Sequence, residues 1–419
     1  MELREFQGHI RTLASLPETR APVVSCYSRV EGGRLKHRRV FTRRIEELRR
    51  SFAGEAAQLF EEALAPIERF FSVELQRGSK GVAVFSRSGR QPFFLALQFY
   101  VPLPTWTAAD TLPNIYHLVE LKDTYWRFVV LVCSQDTARI VSVNLGAVTL
   151  DLLREKPELR QRVGREWTKE HFRKHRTTRT RQFVGDAVKA LSGVMTAGSY
   201  DHLILAGDPK MTAMVTRALP SHVAARLSGV IRKPGRTGAR DVVADSIASF
   251  VEAEHKESQA AAEELQRKLR TNGLAVVGTR ASYWALKRGQ VETLVMGTEY
   301  SPRPGWVCRG CRLERTVEQR PKKCLACGSR SLEDLSIREA MLRLAEQRGC
   351  QVELVHDSAT LRRLGGVGCL LGFRPGQQGK TRPERGWRRT ARTPIPAQPR
   401  GGMGVEVVQP EREIRSEWK

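Results

Sequence analysis

The chain has 419 residues, 41% of them hydrophobic, and carries 70 Lys and Arg against 45 Asp and Glu, a formal net charge of +25. That length suggests two or three domains with real cores and excludes a wholly disordered chain. No apolar run approaches the roughly 18 residues of a membrane helix. So large a cationic excess points to a polyanion as partner, nucleic acid before an anionic membrane, with plain solubility as the bland alternative.

The opening MELREFQGHI reads as a helix and lacks the apolar core of a signal peptide. A strand is expected over residues 22–30, then two amphipathic helices over 40–52 and 54–71. Strand patterns return at 81–89, 92–101 and 115–121. Together these make a first α/β domain, residues 1–122.

A second α/β domain is expected over 123–270. RFVVLVCSQDTARIVSVNLGAVTLDLL holds two or three short strands with tight turns. A highly polar stretch follows and reads as a basic loop, 154–182. Residues 183–195 read as an amphipathic helix, and 200–209 as a buried strand ending in a Gly-Asp-Pro turn. Asp208 and Lys210 stand at that strand end, where α/β proteins often bind ligands; a turn residue beside a surface lysine is the simpler reading. A helix over 211–219, the strand LSGVIRK and a long helix over 239–270 complete the domain.

The third α/β domain, 271–374, opens as strand, helix, strand over 272–297, with Gly289 ending the helix. An insertion, 303–331, interrupts it before the pattern resumes as a helix, a strand, a short helix and a last strand. Residues 375–419 are rich in Pro, Gly and Arg and read as a disordered basic tail. RPGQQGKT within 374–381 lacks the first glycine of a phosphate loop and any strand-to-helix setting.

The insertion carries the sharpest motif. Cys308 and Cys311 form one C-x-x-C pair, Cys324 and Cys327 another, with twelve residues between the pairs. Each pair is a knuckle aiming two thiolates at one point, and two knuckles complete the tetrahedron of structural Zn2+. Four thiolates leave no open position for a reactive water, and a redox motif needs only one pair. Cys26, Cys133, Cys350 and Cys369 stand singly in apolar settings and read as buried small hydrophobes.

The polar stretch carries the second motif. Arg173, Lys174, Arg176, Arg179 and Arg181 lie beside His171 and His175, and no acid falls between His171 and Gln182. Guanidinium forks fit phosphate oxygens, and Arg or His stacks on splayed RNA bases. A solvated charged face is the alternative, but such a run repels itself unless an anion neutralises it. His171 and His175 have i, i+4 spacing suited to a metal, yet no third ligand is evident. RNA contact through His171, Arg173, Lys174, His175, Arg176, Arg179, Arg181 and Gln182 is the expectation.

GTRASYWALKRGQVETL, Gly278 through Leu294, and the ending GGVGCLLGF resemble the C-terminal domain of archaeal and eukaryotic class-1 peptide release factors. Archaeal members of that group carry paired C-x-x-C knuckles in the same domain. VVLVCSQDTARI and LILAG are similar to the middle domain, and SCYSRV with GVAVFSRSG more loosely to the N-terminal one. The likeness covers about residues 20–374 and implies a bacterial-type relative of the archaeo-eukaryotic release factors, a group that also resembles Pelota and the hibernation factor Balon. It implies a ribosome-binding translation factor with rRNA and tRNA as partners, a translational GTPase as a further candidate, and no membrane.

The departures matter as much. A release factor places water at the peptidyl-tRNA ester with a Gly-Gly-Gln loop, and no Gly-Gly-Gln occurs in this chain; the stop-codon-reading Asn-Ile-Lys-Ser is absent too. Trp167 to Gln182 stands where the resemblance puts that loop. The expectation is a cytoplasmic, non-catalytic factor entering the ribosomal A site for hibernation, rescue or quality control. A peptidyl-tRNA hydrolase with a diverged loop, using Gln182 to align water, and a general RNA-binding protein are the alternatives.

Overall fold

The computed structural model describes residues 3–125, 127–155, 169–198, 200–232, 239–271, 273–316 and 319–372. The architecture is mixed α/β. Two compact units form: one from Tyr125–Glu254, the other from the described residues up to Thr124 together with those from His255 onward. The proposed tail, 375–419, lies outside the described residues.

The chain begins with α1 (Leu3–Ser15), β1 (Val23–Glu31), β2 (Arg34–Leu35), α2 (Arg38–Arg49), α3 (Glu55–Val73), β3 (Gly81–Arg87), β4 (Phe93–Phe99), β5 (Trp106–Asp110) and α4 (Tyr116–Thr124). β1 pairs antiparallel with β2, β3 and β5, and β3 with β4. Alternation sorts the side chains by face. Cys26, Val82 and Val84 meet Ile45, Phe60, Leu64, Ile67 and Phe70 of α2 and α3. Tyr27 instead meets His117 of α4, with ring centroids 5.0 Å apart, and Phe99 meets Phe6 of α1 at 5.4 Å.

Residues 115–121 are therefore not a strand but lie mostly in α4. Ile115, Tyr116, Leu118, Val119 and Leu121 are all buried, so the segment lacks the continuous polar face that marks a surface helix. β5 was not anticipated either.

The second unit holds β6 (Phe128–Cys133), β7 (Thr137–Asn144), β8 (Ala147–Glu155), α5 (Lys169–Ala197), β9 (His202–Gly207), α6 (Pro209–Ala218), α7 (Ser221–Ala224), β10 (Leu227–Arg232) and the first part of α8 (Ala239–Arg270). Its sheet runs β10-β9-β6-β7-β8, parallel through β10, β9 and β6 and antiparallel beyond. Phe183, Val184, Ala187, Val188, Leu191 and Met195 of α5 cover one face with Met211 and Val215 of α6. Phe250 of α8 covers the other and stacks on Phe128 at 4.6 Å. Gly207 takes φ +120 against Cys133, whose carbonyl oxygen a Cβ there would meet at 2.0 Å.

The first unit resumes with the rest of α8, then β11 (Ala275–Val277), α9 (Thr279–Lys287), β12 (Val291–Gly297), β13 (Gly305–Cys308), β14 (Glu314–Arg315), β15 (Leu332–Leu335), α10 (Ile337–Arg348), β16 (Gln351–Val355), α11 (Ala359–Arg363) and β17 (Val367–Leu371). Four strands form the sheet β11-β17-β12-β16, and β14-β13-β15 form a separate ribbon. Cys26, Cys133 and Cys369 are buried as expected, whereas Cys350 is half-buried.

Helix α10 ties this unit together. Arg343 donates to the Leu13 and Leu16 carbonyls at 3.0 Å each, and Gln347 Nε2 to Ala14 O at 2.6 Å. These bonds supply donors for the carbonyls that end α1. Glu339 Oε2 accepts the Ile115 N–H at 2.9 Å just before α4, while its Oε1 has no partner among the described residues. Lys122 of α4 pairs with Glu346, and Asp123 accepts the Leu354 N–H at 2.9 Å. Burial pushes the Glu339 carboxyl from 4.5 up to about 7, and Arg343 down to about 10.

A carboxyl raised in this way contributes stability at low pH that is lost as pH rises through about 7. Glu339→Gln keeps an acceptor for Ile115 but cannot ionise. Thermal melts across pH 5–8 should show the wild type losing more stability with rising pH than the variant, and parallel curves would contradict the assignment. Arg343→Ala, which strips two carbonyls of their donor, should cost about 1–3 kcal/mol.

Candidate metal centre and nucleic-acid interface

The ribbon brings the two C-x-x-C knuckles together. The four sulfurs of Cys308, Cys311, Cys324 and Cys327 all lie within 4.8 Å of one another. Cys308 Sγ is 3.5 Å from Cys327 Sγ, and Cys311 Sγ is 3.5 Å from Cys324 Sγ. A tetrahedral ion with metal–sulfur bonds of about 2.3 Å needs sulfurs about 3.8 Å apart, so the donor set fits one. The group can hold a metal ion.

Backbone geometry builds each knuckle. Arg312 N–H donates to Cys308 O at 2.8 Å, and Gly328 N–H to Cys324 O at 2.9 Å. Arg312 and Gly328 both take left-handed φ, +56 and +70, which turns the chain back after the second cysteine. Gly310 rests against the other knuckle: a Cβ there would stand 3.3 Å from Ser329 Cβ and 3.5 Å from Cys327 Sγ. The backbone N–H of Cys327 pulls the Cys324 thiol down to about 6, while hydrogen bonds among the neighbouring sulfurs push the Cys311 thiol up, so the four share one thiolate between them. Beneath the centre, Trp306, Cys308, Cys324 and Leu332 form a small buried cluster. The ribbon sheet extends to Leu335, past the expected insertion end at 331.

The basic segment is not the loop its charge suggested. Residues 154 and 155 end β8, 156–168 lie outside the described residues, and 169–182 form the first half of α5. No Gly or Pro occurs from 165 to 184, and straight-chain Lys, Arg and Gln favour helix. The half from Phe183 onward is packed on the sheet, and the charged residues before it continue the same helix without needing contacts of their own. Thr180 Oγ1 donates to Arg176 O at 2.9 Å along it.

His175, Arg176, Arg181 and Gln182 are exposed and Arg179 is half-buried. At 3.6 residues per turn, His175, Arg179 and Gln182 share the face opposite Val184 and Leu191. His171, Arg173 and Lys174 lie on the same helix, and the positions of their side chains lie outside the described residues. Asp208 proves to be a helix cap, its Oδ1 accepting the Lys210 and Met211 N–H groups at 2.9 and 3.2 Å. His202 packs against Ser228 at 3.1 Å and His356 against His255. The sequence pattern of α10 singled out none of Glu339, Arg343 and Glu346, all three of which are buried.

A family model described as bacterial archaeo-eukaryotic release factor family 10 matches residues 113–250, which span the whole second sheet and α5. Over part of its length the chain resembles the archaeo-eukaryotic release factors. Peptide chain release factor subunit 1 of Pyrococcus abyssi (strain GE5 / Orsay) is 27% identical over 161 residues, covering 33% of this chain. The match spans 38% of that relative's length. Among solved structures, the archaeal translation termination factor aRF1 aligns at 16% identity and TM-score 0.25, over 89% of this chain and 99% of its own. Pelota of Archaeoglobus fulgidus aligns at 14% and 0.33, over 70% of this chain and 80% of its own. Dom34 of S. cerevisiae aligns at 10% and 0.37, with the same coverages. Among the described residues no helix is long and apolar enough to cross a membrane.

The sulfur geometry predicts one metal ion per chain in elemental analysis of protein purified without added metal. Cys308→Ser should abolish that ion and loosen the ribbon while the three larger sheets stay folded. Metal-free wild-type protein after gentle purification would contradict the centre.

Proposed function

We propose that this protein is a ribosome-binding translation factor of the release-factor and Pelota type that has no hydrolytic chemistry of its own. It enters the ribosomal A site, grips rRNA and tRNA, and serves hibernation, rescue or quality control in the cytoplasm. A translational GTPase is a candidate for its delivery. The observation that carries the reading is the basic first half of α5, set within the span matched by the release-factor family model.

The physical case is electrostatic. Arg173, Lys174, Arg176, Arg179 and Arg181 follow one another with no intervening acid. Arg176 and Arg181 are exposed, and a stiff helix holds their spacing. Phosphates at such a helix release counterions, giving affinity and on-rate with little sequence preference. His175 and Gln182, on the face they share with Arg179, add groups able to stack on or hydrogen-bond with bases.

Ester hydrolysis asks for something else: a backbone that approaches the carbonyl closely, and a held water. Two glycines open that approach, and this chain has no Gly-Gly-Gln. A helical turn of arginines presents bulk and positive charge instead. The ion proposed for Cys308, Cys311, Cys324 and Cys327 is Zn2+; four thiolates would fill its coordination, making its role structural.

Cosedimentation with ribosomes should therefore be strong at low salt and fall steeply as salt rises. Combining Arg173→Ala, Arg176→Ala and Arg181→Ala should weaken it at least about tenfold without changing the melting curve. Protein that stays in the free fraction at low salt would defeat the reading. Ribosomes carrying labelled peptidyl-tRNA should release no peptide above background. Release abolished by Gln182→Ala would establish the hydrolase instead.

A further inference from the structure

The ribbon around the cysteine centre carries more positive charge than its own acids balance. Glu314 accepts Lys287 at 2.6 Å, Glu333 is paired with Arg309, and Asp334 with Arg320 at 3.2 Å. Those pairs use the carboxylates of the ribbon's described residues. Arg312, Lys322, Lys323 and Arg330 remain exposed, and among the described residues none of the four has a carboxylate partner.

These four come from both knuckles. Arg312 directly follows Cys311, Lys322 and Lys323 directly precede Cys324, and Arg330 lies three residues past Cys327. Since the four sulfurs lie within 4.8 Å of one another, the flanking cations are gathered around one centre. Leu325 stands among them, 73% exposed, on the turn between Cys324 and Cys327. A large apolar side chain so exposed beside two lysines has no role in the ribbon's own core, which Trp306 and Leu332 fill.

A divalent ion on four thiolates carries a net charge of about −2. Four neighbouring cations exceed what that charge needs, and neutralisation gives no account of Leu325. Cations spaced around an exposed apolar tip match the chemistry of single-stranded nucleic acid: phosphates for the charges, an unstacked base for the apolar surface. An acidic peptide would satisfy the charges as well, but the chain's net charge of +25 and its second cationic run on α5 favour a polyphosphate.

We propose that the metal-bound ribbon is itself a nucleic-acid-binding surface, gripping single-stranded RNA through Arg312, Lys322, Lys323 and Arg330 with Leu325 against a base. The choice of RNA rests on the reading of this protein as a ribosome-binding factor. The cysteine centre then does more than stabilise a fold, because it brings two cationic turns into one site.

The test uses the full-length, metal-loaded chain and a fluorescein-labelled unstructured RNA oligonucleotide. Combining Arg312→Ala, Lys322→Ala and Lys323→Ala should lower affinity about tenfold with metal content unchanged. The slope of log affinity against log salt should fall by about 2, at roughly 0.7 per lost phosphate contact on a single strand. A photo-crosslinking side chain at position 325 of otherwise wild-type protein should capture RNA. Should the triple variant lose its ion, that crosslink decides alone. Unchanged affinity in a metal-loaded variant overturns the proposal, as does a crosslinker that captures only protein or binding that polyglutamate displaces and RNA does not. If wild-type protein fails to bind ribosomes yet binds the oligonucleotide through the ribbon, only the ribosomal reading falls. If ribosomes bind and the ribbon variant grips RNA as well as wild type, only the ribbon proposal falls.

Discussion

One helix face sets the organisation of the larger unit. The end of α1 and the start of α4 are buried with backbone groups that their own helices cannot satisfy. Arg343, Gln347 and Glu339 of α10 complete them, from more than two hundred residues away in sequence. An unmade buried hydrogen bond costs more than a made one contributes, so α1, α4 and α10 are held to one arrangement. The first and third sheets therefore belong to one compact unit, and the segment carrying the second sheet is inserted between them in sequence. The cost falls on Glu339, whose carboxyl is raised by burial and whose Oε1 has no partner among the described residues.

Charge is distributed with equal economy. Acids near the fold's working contacts are consumed locally: Glu346 by Lys122, Glu314 by Lys287 and Tyr283. Cations are concentrated on α5 from His171 to Gln182, where no acid falls, and around the cysteine knuckles, where the acids of the described residues are already paired. Self-repulsion on a helix or a tight knuckle is a standing cost, tolerated because packed residues elsewhere hold each scaffold. In α5 the packing begins at Phe183; in the ribbon it is Trp306 and the sulfur centre.

Much of this was legible in the sequence. The knuckle spacing named the four cysteines that the fold brings together, and α8 occupies the span its periodicity indicated. The resemblance pointed to the release factors, which the family match over 113–250 supports. Other features were hidden for physical reasons. Residues 115–121 read as a strand because burial removed the polar stripe that distinguishes a helix. The segment 169–182 read as a loop because charge masked its helix propensity, though the missing Gly and Pro were a usable signal. Nothing local reveals that Arg343 reaches Leu13, since that contact exists only once both ends have folded.

The proposed role depends on what the first half of α5 touches. A cryo-EM map of the protein bound to ribosomes reads this directly. Density for residues 169–182 should run as a continuous helix, its arginines against RNA phosphates, with no water-positioning loop at the peptidyl-tRNA ester. A map with that helix facing solvent, or unwound into a loop against the ester, would contradict it.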